Sequence, residues 1–220
     1  MRGTADETVG VNFDVDLLRA ARDRTLDLIN EVSALIEPGV SERDALAWVT
    51  EIQEQMSAER SWHAPQVRFG PHTLLPFGEK PAENWILQDN DIYFLDLGPV
   101  FAQHEGDVGR AFVVGDDSEH HRCVQDVEKI WHEVRTHWKT TGVSGADLYR
   151  FAHERARTTG WILALNQANG HRIADFPHAV RGRGSIEGFE QTPLSDRWIL
   201  EIQIRHPSLP FGAFYEDLLN

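Results

Sequence analysis

Cysteine is almost absent from this chain: one thiol, Cys123, occurs in 220 residues. A lone thiol excludes an internal disulfide framework and a cysteine-built zinc site, and both absences suit a reducing cytoplasm. Cys123 itself reads as a buried or inert side chain. Basic residues are also scarce. Lys and Arg number 21 against 35 Asp and Glu, a formal charge of -14 at pH 7. Such a balance repels nucleic acid and anionic membrane surfaces but favours the gathering of metal cations at clustered carboxylates. No apolar run is long enough to cross a bilayer. The first residues, 1–12, have neither the basic start nor the apolar stretch of a secretory signal and read as a flexible polar tail.

A hydrophobic fraction of 41% is that of an ordinary globular protein, so residues 13–220 are expected to form a single domain around one core. From Val15 to Ile36 the apolar residues Leu17, Leu18, Ala21, Leu26, Ile29, Val32 and Ile36 recur at helical spacing until Pro38 and Gly39 stop them. A second helix is predicted from Ser41, whose hydroxyl can cap it with Asp44 three residues on. The stretch from Trp62 to Pro81 reads as irregular loop with a short strand at Val67 to Phe69. Ile92 to Val100 has strand composition, with Gly98 and Pro99 marking a bulge, and Arg110 to Val114 reads as its neighbour. The order then repeats: helices from Ser118 to Thr140 and from Ser144 to Thr158, then strands from Trp198 to Ile204 and Phe211 to Leu218. Two helices followed by strands, twice over, predict an α+β domain of two pseudo-equivalent halves.

Several polar residues sit where solvation alone would not place them. Asp96 interrupts the apolar run Tyr93-Phe94-Leu95-Asp96-Leu97, and Asp107 follows eleven residues later, a spacing that can join two adjacent strands. Asp96 either ends its strand and caps a turn or is a buried carboxylate, which needs a partner or a metal. His171 and His178 stand seven apart in a Gly- and Pro-bounded segment. They are either exposed loop histidines or a ligand and a proton donor or substrate contact near a metal. In Trp198 to Arg205, Glu201, Gln203 and Arg205 share one face, so Glu201 is a solvent-face residue or a ligand. Glu216 lies within an aromatic strand, Phe211-Gly-Ala-Phe-Tyr-Glu216.

Taken in chain order, two Asp eleven apart, Gly170-His171 with a second His seven on, and two Glu-bearing strands, the set resembles the pita-bread metallohydrolases. That superfamily includes methionine aminopeptidase, aminopeptidase P, prolidase and creatinase. The resemblance covers the catalytic domain only, from about the first helix to the end of the chain. It implies a pita-bread fold around an antiparallel sheet and two divalent metal ions. By position, it implies Asp96, Asp107, His171, an acid on the Trp198 strand and Glu216 as ligands. It also implies His178 as the substrate-contacting histidine, and Arg110 matches a further family position. Manganese, iron or cobalt suits such oxygen-rich ligands, with zinc an alternative.

Three departures accompany the resemblance. The strand glutamate of the family falls on Gln203, while Glu201 stands two residues earlier on the same face; Glu201 is taken as ligand and general base, since a carboxylate balances a dication better than an amide does. Phe77 replaces a loop histidine that follows a proline. Ala179 replaces a Glu after the second histidine, and His104 and Glu105 add ionisable groups before Asp107. The function implied is metal-assisted hydrolysis of an amide in a small peptide. The alternatives are a creatinase-like reaction on the C–N bond of a small metabolite, or peptide binding without turnover. A cytoplasmic protein without membrane or nucleic-acid partners is expected, and base rates for soluble enzymes are compatible with a homodimer.

Overall fold

Four polar residues, each just ahead of a periodic apolar stretch, set the helix starts. Asp14 accepts from the backbone N–H of Asp16 and Leu17 and opens α1, Val15–Ser33. Ser41 accepts from Asp44 N–H and opens α2, Glu42–Gln55. Asp117 caps α3, Ser118–Thr141, and Ser144 caps α4, Gly145–Thr158. Each cap satisfies N–H groups that a helix start leaves without intrahelical partners. Gly142, in the left-handed region at φ 64°, closes α3. The first helix stops three residues short of Ile36, whose N–H instead bonds Ser33 in a turn.

The computed structural model describes residues 7–164, 168–176 and 184–220. Its strands are β1 (Arg60–Ser61), β2 (Gln66–Phe69), β3 (Asp91–Leu97), β4 (Pro99–Phe101), β5 (His104–Glu105), β6 (Val108–Val114), β7 (Ile162–Leu163), β8 (His171–Arg172), β9 (Trp198–Arg205) and β10 (Gly212–Leu218). The large sheet runs β2-β3-β6-β10-β9-β7, with β8 also paired to β9; β1, β4 and β5 form a small second sheet. Every pairing is antiparallel. The expected bulge at Gly98 is instead a sheet change: β3 ends at Leu97 and the chain resumes as β4 in the small sheet.

The two halves meet where β6 pairs with β10. Helices α1 and α2 cover the first half, packing Leu28, Val32 and Val49 against Phe69, Tyr93 and Leu95. Helices α3 and α4 cover the second, packing Ile130, Trp131 and Leu148 against Leu200, Ile202 and Tyr215. Each such side chain contributes about 1.5–3 kcal/mol on full burial. Cys123 lies in this second core, where burial raises its thiol pKa. Because strand side chains alternate, the residues between these apolar ones project from the opposite face, away from the helices, and that face carries the acids.

The segment expected as a loose tail is held from Glu7 onward. The buried Glu7 carboxylate accepts from Leu194 N–H at 2.7 Å and from the Trp198 indole at 2.6 Å, and Gly10 N–H donates to Asp175 at 2.8 Å. A carboxylate in this polar segment finds buried donors far along the chain, which no local sequence pattern announces. No helix among the described residues is long and apolar enough to cross a membrane.

Candidate metal centre

One row of backbone partners runs straight across the sheet: Gln66 opposite Asp96, Asp96 opposite Gly109, Gly109 opposite Glu216, and Glu216 opposite Glu201. Directly paired residues point to the same face, so three acids from β3, β10 and β9 converge on the open face. Gly109 makes the convergence feasible. A Cβ there would stand 2.4 Å from the Phe214 ring and 3.0 Å from Glu216 Cβ. Asp107, just before β6, adds a fourth carboxylate, almost wholly buried.

Two imidazoles face this set in the same way. His171, on β8, holds its Nδ1 3.0 Å from the carbonyl of Arg172, while its Nε2 lies 3.2 Å from Asp107 Oδ2 and 3.5 Å from Glu216 Oε1. His63, in the loop after β1, holds its Nδ1 3.0 Å from the carbonyl of Ala64, and its Nε2 lies 3.1 Å from Asp107 Oδ1 and 3.4 Å from Asp96 Oδ1. A carbonyl only accepts, so Nδ1 carries the hydrogen in both rings and Nε2 is the atom turned to the carboxylates. Two groups of potential ligand atoms, each within 4.8 Å of one another, result: His63, Asp96 and Asp107, and Asp107, His171 and Glu216, with Asp107 common to both.

The electrostatics are those of a cation site. Burial pushes the Asp96 carboxyl up to about 6, against the pull of His63, and the Glu201 carboxyl up to about 7. Glu216 is raised further by burial and by Asp107 and Asp96. Asp107 is lowered in spite of burial, because His63 and His171 both face it, and both imidazoles are raised by their carboxylate neighbours against the effect of burial. Asp107 Oδ2 and Glu216 Oε2 are buried without a hydrogen bond among the described residues. Mutually repelling buried acids with unsatisfied oxygens fit divalent cations and would be costly otherwise.

Of Glu201 and Gln203 on this face of β9, Glu201 is the one in the row of acids, directly opposite Glu216. Glu201 Oε2 accepts from Gly170 N–H at 2.7 Å, one residue before His171. The Gln203 amide is committed elsewhere, donating to the Thr73 carbonyl at 2.8 Å. Arg110 touches no ligand carboxylate; it donates to the backbone carbonyls of Gly109 and Glu216 and to the Asp217 side chain, and stacks 3.9 Å over Tyr215 on the helix-covered face. Its sequence position three after Asp107 is odd-numbered relative to the row, which turns it to that face. His104 is structural: its Nε2 accepts from Asp14 N–H at 2.9 Å at the start of α1. Glu105 is fully buried and pushed up to about 8 by burial and then by Asp107. His178 and Ala179 lie outside the described residues.

Phe77 packs edge-on against His63, ring centroids 5.5 Å apart. An imidazole therefore does stand on that side of the centre, delivered by another loop. Nothing in the sequence spacing links residue 63 to residue 107. The link is topological: β1 pairs with β4, and Trp62 N–H bonds the Gly98 carbonyl at 2.7 Å.

Beside the centre lies a narrow cleft. Leu75, Phe77, Phe94 and Phe214 form its apolar walls, and Asp96, Glu201 and Gln203 reach it from the metal side. Arg68 also lines it, buried on β2. One of its nitrogens, Nη2, donates to the Gln66 side chain and to the Glu79 carbonyl, and burial lowers its pKa. No carboxylate among the described residues is paired with it. Alternation along β2 puts Gln66 and Arg68 on the same face as Asp96.

An antiparallel sheet that gathers acids from three of its strands on the face away from two covering helix pairs defines a domain of the pita-bread fold with a candidate metal centre. The chain belongs to metallopeptidase family M24, whose model matches residues 16–218. Solved structures share the fold. The X-Pro aminopeptidase of Thermotoga maritima is 20% identical, with a TM-score of 0.72 over 92% of this chain and 56% of its own. The prolidase of Pyrococcus horikoshii is 19% identical, with a TM-score of 0.70 over 93% and 58%. A His-to-Ala variant of Escherichia coli aminopeptidase P is 13% identical, with a TM-score of 0.75 over 92% and 51%. This chain thus spans little more than half the length of these proteins. A comparison with curated protein sequences finds no match.

Proposed function

We propose that this chain is a dinuclear metal-dependent hydrolase of the aminopeptidase P or methionine aminopeptidase type, with Asp96, Asp107, His171, Glu201 and Glu216 holding two divalent ions. The observation that carries the reading is the row Asp96, Glu216, Glu201 beside Asp107, with Nε2 of His171 turned to it. Manganese, iron or cobalt suits the oxygen-rich part of the set, and zinc fits it too. Bound divalent ions supply an activated water and polarise the scissile carbonyl.

The remaining work falls to side chains. Glu201 takes the proton of the attacking water and can return it to the leaving nitrogen. His178 contacts the substrate or protonates it. The walls Phe94 and Phe214 exclude water from the reacting amide. Arg68 supplies a buried guanidinium fork without a carboxylate partner among the described residues, which suits a substrate bearing a free carboxylate. That feature favours a very short peptide or a small amide acid over a long chain, and keeps a creatinase-like reaction on a small metabolite as the second reading. The buried, inert Cys123 accords with a cytoplasmic setting.

Metal content of protein purified without chelator tests the proposal, native beside Asp107→Ala and Glu201→Ala. About two equivalents of transition metal, lost in both variants, together with hydrolysis of dipeptides or N-acyl amino acids, support it. Absence of metal under every loading condition overturns it and leaves a peptide-binding domain.

A further inference from the structure

His63 is outside the ligand set carried by the family resemblance, yet its placement repeats that of His171 atom for atom. In each ring Nδ1 is fixed by a backbone carbonyl at 3.0 Å, and Nε2 lies between two carboxylate oxygens at 3.1–3.5 Å. Fixing one ring nitrogen by a hydrogen bond sets the tautomer and leaves the other free to ligate. Asp107 divides its two oxygens between the rings, Oδ1 towards His63 and Oδ2 towards His171. The two ligand groups so formed each contain one imidazole and share Asp107.

The loop holds His63 firmly in this place. Strand β1 pairs with β4 immediately before it, Trp62 N–H bonds the Gly98 carbonyl, and Phe77 closes over the ring. Gly98 leaves room for it: a Cβ there would lie 2.7 Å from His63 Nε2 and Cδ2. A side chain kept this close to two buried acids is one the site is built around.

We propose that His63 is a metal ligand through Nε2, giving the Asp96–Asp107 side of the centre its own imidazole so that each ion has one nitrogen donor. The assignment rests on the dinuclear reading above. It moves the pair from an oxygen-rich site with one histidine towards one that prefers cobalt, iron or zinc to manganese, since nitrogen donors raise affinity along that series.

Cobalt(II) binding to the full chain is the test, followed by titration against a chelator and by the visible spectrum of the bound ion, for native protein, His63→Ala, His171→Ala and Gly98→Ala. The expected result is two cobalt ions in native protein and a loss of about 10- to 100-fold or more in affinity at one site in His63→Ala. The spectrum of that site changes, and manganese competes better against cobalt than in native protein. Gly98→Ala, whose Cβ would press on the ring at 2.7 Å and also meet Asp107 Oδ1 at 3.3 Å, should shift this site most, and His63→Gln serves should His63→Ala fold poorly. His171→Ala should weaken the other site. Native affinities and spectrum in both His63→Ala and Gly98→Ala, with a loss in His171→Ala, overturn the His63 assignment alone. No cobalt bound by native protein overturns the dinuclear reading with it.

Discussion

Glu201 stands directly across the β9–β10 ladder from Glu216, and both are buried. Like charges in that relation destabilise a sheet by up to about 1 kcal/mol, so the pair costs stability unless a cation lies between them. Glu201→Gln keeps the acceptor for Gly170 N–H and removes the charge. In metal-free protein it should raise the melting temperature at pH 8, by at most about 2–4 °C, the shift that about 1 kcal/mol gives a chain of this size, and change it little at pH 6, where the raised carboxyls of Glu201 and Glu216 hold a proton and do not repel as two anions. In metal-loaded protein it should lower bound metal and cut turnover by at least about 100-fold. Thermal denaturation with chelator and with cobalt measures both, and a variant less stable than native in chelator would contradict the arrangement.

The same acids set a pH dependence whose sign follows from linkage. Asp96 at about 6 and Glu201 at about 7 lie above the unfolded value near 4, so between those limits the folded state binds more protons than the unfolded one. Stability of metal-free protein therefore falls as pH rises from 5 to 8. His63 and His171, raised by their carboxylates, act in the same direction: their contribution is complete below about 6.5 and lost as pH rises through the folded values. Asp107, lowered, loses its contribution only as pH falls below about 4. Metal binding expels the protons, so the melting-temperature gain on adding cobalt should grow from pH 5.5 to pH 8. A gain that shrinks over that range would count against a carboxylate centre.

Helices and long strands were legible in the sequence because their signals are local. Apolar periodicity and the caps Ser41 and Ser144 lie within a few residues of the helices they start, and the alternation of β9 put Glu201 on the site face. The pairing Glu201–Glu216 and the row through Gly109 were not legible, because register is set by contacts between residues far apart in sequence. The two-residue strands β1, β5, β7 and β8 carry too few side chains to show a period. His63 depends on β1 and so was hidden with it. Arg110 matched a sequence position, but which face it occupies is decided by its partner Leu95 across β3 and β6, and that face is the helix-covered one.

Arg68 gives the substrate side a measurable signature. A buried guanidinium that, among the described residues, donates through Nη2 to Gln66 and Glu79 has a planar fork to offer a carboxylate. Arg68→Met should raise KM about 10- to 100-fold for substrates with a free carboxylate, within the about 1.5–3 kcal/mol of a hydrogen bond to a charged group. For the same substrates with the carboxylate amidated, KM should change little. Equal losses for acid and amide would mean that Arg68 shapes the cleft without reading charge. Lysine should restore only part of the effect, since a point charge lacks the fork.

The backbone that carries Glu201 is itself held from the covered face. Tyr149 on α4 donates its hydroxyl to the Glu201 carbonyl at 2.7 Å, and Trp131 on α3 donates its indole N–H to the Leu200 carbonyl at 2.8 Å. Both donors are buried within the second core. Tyr149→Phe keeps the ring packing and leaves that carbonyl without its donor, a change that costs about 1–3 kcal/mol. The expected outcome is a lower melting temperature in chelator and in cobalt alike, with cobalt affinity reduced less than in Glu201→Gln, because the strand keeps its ladder to β10 while losing one brace. A Tyr149→Phe protein as stable as native would show that β9 is positioned by its strand partners alone.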